Sequence, residues 1–208
     1  MGEYIAFSEH GPAELLVLLK GVRSIIESMT EVLHAGILVK DGGMKAHYLI
    51  DTTGARRVRV VLRYQEPIWG LRQYVENMFA SDTKGGIYLC AIDRLYSAFD
   101  NVYQVLDPST PDSEDYSHII FGWLYTLSEE FICCLERKES IALVILGYFT
   151  VLMRDLERYW FMKGCSRHVM EGVCRFLGEG DRRWVEWPLR ELEEEDKDRT
   201  DGQRGVDV

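Results

Sequence analysis

The sequence predicts an all-α fold, a compact multi-helix domain around a buried central helix. Three observations carry this. Apolar residues recur at i, i+3, i+4 spacing in several long windows, the period of a helix with one face inward. The block Ile141–Met153 is apolar except for Gly147, Tyr148 and Thr150, the pattern of a helix covered on all sides. No two alternating segments offer themselves as paired strands, and a lone strand is unstable. With 208 residues, 47% hydrophobic and 12% aromatic, the chain is long and apolar enough for one domain, expected over 1–192.

Taken in order, Pro12 suits the first turn of a helix over Pro12–Met29, with Leu15, Leu19, Val22 and Ile26 on its apolar face. The segment 40–66 is the weak part. Asp41-Gly42-Gly43 and Thr52-Thr53-Gly54 are turn signals. Arg57–Tyr64 alternates briefly, as a short strand or an irregular basic loop would; lacking a partner strand, helix or loop is favoured. Pro67 opens a helix to Met78, Gly85-Gly86 breaks the chain, and Ile87–Leu106 is helical again. A linker with two prolines, Asp107–Asp112, follows. Ser113 or Asp115 caps a helix reaching Arg137, and Ser140 caps the central helix, expected to run to Lys163. Ser166 caps a helix to Leu177, which Gly178-Glu179-Gly180 ends, and Pro188 sits in the first turn of a last helix. The acidic tail 193–208 has the composition of a disordered segment.

A net charge of −10 repels phosphate and argues against direct nucleic-acid binding. The five cysteines, Cys90, Cys133, Cys134, Cys165 and Cys174, lack zinc-knuckle spacing, so no metal site and no cofactor are expected. An odd cysteine count with no secretory leader points to reduced thiols and an intracellular location, cytoplasm or nucleus. The central apolar block falls short of the roughly 18 residues a membrane span needs and ends at Arg154-Asp155.

Catalytic signatures are thin. Nucleophile-elbow, zinc-protease, P-loop and dinucleotide-binding motifs are all absent from the sequence. His118, one turn before Phe121, is a candidate acid or base, weighed against the commoner solvated histidine. Tyr148 and Tyr159 are candidate hydroxyl donors. Cys165, beside Gly164 at a helix start, could have a lowered thiol pKa, although a buried inert cysteine is the commoner case. Glu157 and Arg158 read as solvated charges after an apolar run.

A ligand-binding reading has more material. Ile120, Phe121, Leu124 and Leu127 share one side of a helix, and Tyr148, Phe149, Leu152 and Trp160 lie on the next. With Cys165 and the small residues Gly122, Ala142 and Gly147 nearby, these walls could enclose an apolar cleft. Plain core packing is the competing explanation.

Phe121-Gly122-Trp123, Ser128–Phe131, Leu135–Glu139, Ile141–Tyr148, Leu156–Gly164 and Trp184–Leu189 resemble, in order and spacing, the C-terminal regulatory domain of fungal zinc-cluster transcription factors. The sterol uptake control regulators are the group most similar to it. A shorter fit covers Leu15–Glu27, and the residues from about Thr30 to Tyr88 fit poorly. The resemblance implies an all-helical domain that holds a sterol. Three positions depart from the pattern: Leu124 and Ser140 replace prolines, and Cys165 replaces a tryptophan. The zinc cluster and the family's preceding helices are missing. The resulting expectation is a regulatory domain for a lipophilic, sterol- or terpenoid-like molecule, without its own DNA-binding module. A domain short of its first helices should expose apolar surface, so a homodimer is also expected. The alternative is a stand-alone, cofactor-free cyclase or isomerase of fungal secondary metabolism using the same apolar pocket, where shape and one or two hydrogen-bond donors suffice.

Overall fold

The computed structural model describes residues 54–103 and 117–193, over 54–63 by backbone alone. The helix expected at Pro12–Met29, the Asp107–Asp112 linker and the tail beyond Glu193 lie outside the described residues. Among the described residues every regular element is helical and there is no strand, so the all-α expectation holds.

Helices α1 (Gly54–Met78) and α2 (Thr83–Tyr103) form an antiparallel hairpin. Arg57–Tyr64 is therefore helix, and Pro67 lies inside α1 instead of opening it. A buried stripe accounts for the difference. Tyr64, Ile68, Leu71 and Val75 follow helical spacing and are all fully covered. The Tyr64 ring stacks on Phe99 at 5.1 Å, and its hydroxyl donates to Asp100. That stripe, packed on α2, carries the helix back across Pro67 as far as Tyr64. Gly85 and Gly86 fall within the first turn of α2, so the hairpin turn comes earlier than expected.

The single helix expected up to Arg137 is two: α3 (Ser117–Thr126) and α4 (Glu129–Glu136). Ser128 makes the break. Its backbone is extended (φ −72°, ψ 155°), and its hydroxyl accepts from the Phe131 amide at 3.2 Å.

The central helix α5 (Ser140–Met153) is buried at every position from Ile141 to Met153. It touches α2, α4, the next helix and a later 3-10 segment. It ends well before Lys163, continuing as 3-10 turns at Arg154–Arg158 and Trp160–Met162. Charged side chains at 154, 155, 157 and 158 cannot follow α5 through an apolar interior, so the chain turns outward. Gly164 (φ +75°) then supplies a left-handed residue, and α6 (Cys165–Phe176) begins. A 3-10 segment at Glu179–Val185 leads into α7, helical over 186–193 as far as the described residues reach. Among the described residues, no helix is long and apolar enough to cross a membrane.

Candidate functional site

The residues expected to line a cleft are distributed unevenly. Ile120, Leu124 and Leu127 are buried, and so are Tyr148, Phe149, Leu152 and Cys165. Phe149 is fully covered and stacks on Trp123 at 4.4 Å, while the Trp123 indole donates to the Ala91 carbonyl at 3.2 Å. α3, α5 and α2 thus meet through Trp123. Gly147, expected to leave space, is closely approached instead: a Cβ there would lie 3.1 Å from a Val185 methyl and 3.6 Å from a Val173 methyl. That glycine lets the Glu179–Val185 segment and α6 reach the α5 backbone. Phe121 (40% exposed) and Trp160 (83% exposed) point away from this core.

The candidate catalytic groups do not converge on one another. His118 is exposed on α3. Tyr148 donates to the Pro67 carbonyl at 3.3 Å, and burial raises its phenol pKa, which stabilises the protonated donor. Tyr159 lies half-buried at the outward turn, beside the Arg158 guanidinium. Cys165 does sit at the start of α6, but burial and the nearby Glu157 carboxylate push its thiol upward, opposite to an activated nucleophile. Glu157 is not simply solvated. It accepts from the Ser166 amide at 3.1 Å and from the Ser166 hydroxyl, capping α6 from nine residues back.

One polar cluster joins the charged junction ahead of α5 to residues far away along the chain. Glu139 precedes α5 and accepts from Lys84 Nζ at 2.9 and 3.0 Å and from the Tyr88 hydroxyl at 2.5 Å. Burial opposes its charge, but the Tyr88 and Lys84 donors outweigh that and hold the carboxyl below the usual range. The cluster ties the start of α2 to the start of α5.

An open, mostly apolar concavity lies elsewhere among the described residues, along the seam between α1 and α2. It encloses about 430 Å³. Ile68 and Ile92 form its floor, and Trp69 and Tyr96 flank it. The Arg72–Asp93 ion pair (2.8 Å) crosses the seam at one end. Toward the other, Tyr64 and Tyr96 approach to 5.9 Å between ring centres. The usable signal was local: Gln65, Ile68, Trp69 and Arg72 repeat at helical spacing, but only if α1 extends back past Pro67.

No protein-family model matches the chain, and no solved structure does. A stretch of 67 residues is 25% identical to a Zn(2)-C6 fungal-type transcription factor of Gibberella zeae. The chain is distantly similar to a fungal transcription factor. The match covers 31% of this chain and 14% of that protein. Among the described residues, no group of three or more His, Cys, Asp or Glu is placed to hold a metal ion.

Proposed function

We propose that the chain is a regulatory module of the fungal zinc-cluster transcription-factor type, intracellular, acting through a bound lipophilic small molecule rather than by reading DNA itself. The similarity to the Gibberella zeae factor carries the regulatory part of this reading. The ligand part, a sterol- or terpenoid-like molecule, is supported by the apolar surroundings of α5 and by the family-like motifs of the second half of the chain. In this reading the ligand enters between α3 and α5, against Ile120, Leu124, Leu127, Phe149 and Leu152, and moves Trp123 off Phe149. Apolar burial supplies the affinity, at roughly 25 cal/mol per Å² before ordering costs. Because α2 holds Trp123 through the Ala91 carbonyl, displacing that ring alters the α2–α3 contact and thereby an outer surface. A homodimer belongs to the same reading.

Thermal-shift titration of the full chain with ergosterol and with a linear terpenoid alcohol tests it. The expected result is a saturable rise in Tm with one of them. A flat response to both overturns the ligand part. The regulatory part is tested by fusing the chain to a heterologous DNA-binding domain and reading a reporter gene; output equal to that domain alone overturns it.

A further inference from the structure

We propose that the α1–α2 seam is a second binding site, for a flat aromatic molecule of two or three fused rings, neutral or carrying one positive charge. Size is the first argument. The concavity of about 430 Å³ falls in the range of small-ligand sites. From Gln65 to Arg72 the groove extends about 10 Å along the α1 axis, at roughly 1.5 Å per residue, which suits two or three fused rings and is short for an extended lipid chain.

Chemistry is the second. Trp69 is 57% exposed, beside a floor of Ile68 and Ile92 that is almost wholly covered. A large indole left in water over an apolar floor is a stacking surface for a planar ring. The walls are held in place: Arg72 and Asp93 pair across the seam, and the Tyr96 ring packs against Tyr64, which is fixed by its hydrogen bond to Asp100.

Charge decides which planar molecules fit. The Arg72 guanidinium is committed, donating through Nε to Asp93 and through a terminal nitrogen to Glu76 at 3.2 Å. It offers little to an incoming anion. The Glu66 carboxylate also lines the groove and has no ion-pair partner among the described residues. Arg72 already lies over the Trp69 ring at 5.9 Å, which leaves the indole's other face for an incoming ring, and Glu66 with the net charge of −10 favours a cation and disfavours a carboxylate.

The test is fluorescence anisotropy with three probes: proflavine (a tricyclic cation), 2-naphthol (a bicyclic neutral) and 2-naphthoate (a bicyclic anion). Each is titrated against the full chain at about 150 mM salt, where loose adsorption is screened. Saturable binding of proflavine and 2-naphthol is expected, with none of 2-naphthoate. Trp69→Ala weakens both binders about tenfold, and Glu66→Gln weakens proflavine alone, about threefold. Trp160→Ala, at another exposed tryptophan, changes neither. The proposal is overturned if Trp69→Ala binds like wild type, if Trp160→Ala loses as much, or if the anion binds as well as the cation. Circular dichroism confirms the fold of each variant, and Glu66→Gln, a surface change, keeps the test decisive should Trp69→Ala unfold. The ergosterol and terpenoid titrations read the α3–α5 region and are expected to be unaffected by Trp69→Ala, so the two sites succeed or fail separately.

Discussion

Glu157 accepts hydrogen bonds from the Ser166 amide and hydroxyl, so a residue that reads as a surface charge caps the first turn of α6. Glu157→Ala is expected to lower stability by about 1 kcal/mol, the usual cost of a lost cap, and urea unfolding measures it. Phe149 is a different case. It has no exposed surface and lies flat on Trp123. Phe149→Ala should cost about 3–5 kcal/mol, because a ring-sized cavity opens in the core. A denaturation midpoint close to wild type would show that the surroundings collapse into the space. The sequence marks Phe149 as apolar on a helix, but whether it lines a cleft or fills a core depends on the position of Trp123, which comes from another helix.

At the scale of elements, the junction ahead of α5 is the most sensitive to conditions. Glu139 is held below the ordinary carboxylate range in the folded chain, with Tyr88 and Lys84 donating against the opposing effect of burial. Its unfolded value is near 4.3. Below that pH the unfolded state binds the extra proton more readily. The stabilisation is therefore fully present above about pH 4.3 and is lost as pH falls through the lower, folded value. Glu139→Gln should remove that part of the acid-side slope in a plot of unfolding free energy against pH and leave the neutral-pH slope unchanged. The charged junction is visible in the sequence as Arg137-Lys138-Glu139, but its principal partners come from α2, far away along the chain.

For the whole molecule, the net charge of −10 governs encounters at long range. A gel-shift experiment at moderate salt should give no sequence-dependent complex with duplex DNA, because an acidic surface releases few counterions from the phosphates. A discrete band that survives competitor DNA would contradict this. Several large apolar side chains are exposed, Met78, Phe121 and Trp160 among them. Sedimentation is expected to show a dimer at micromolar concentration, and a clean monomer without ligand would remove the homodimer from the functional reading.

Periodicity alone determined the all-helical class, the buried central helix and most element positions, because a helix that hides one face must repeat its apolar residues every three or four positions. The same rule places Ile92 on the apolar stripe of its helix without revealing that a groove opens above it. Tertiary contacts decided the rest. The buried stripe from Tyr64 to Val75, packed on α2, carried α1 back across Pro67, and a serine cap split the helix ahead of Arg137. Val185 and Val173 closed the space beside Gly147, while the seam beside Trp69 stayed open. The physical reason is that a cavity is a relation between elements. It depends on how closely two helices approach and which side chains interpose, and neither quantity is written in the period of one helix.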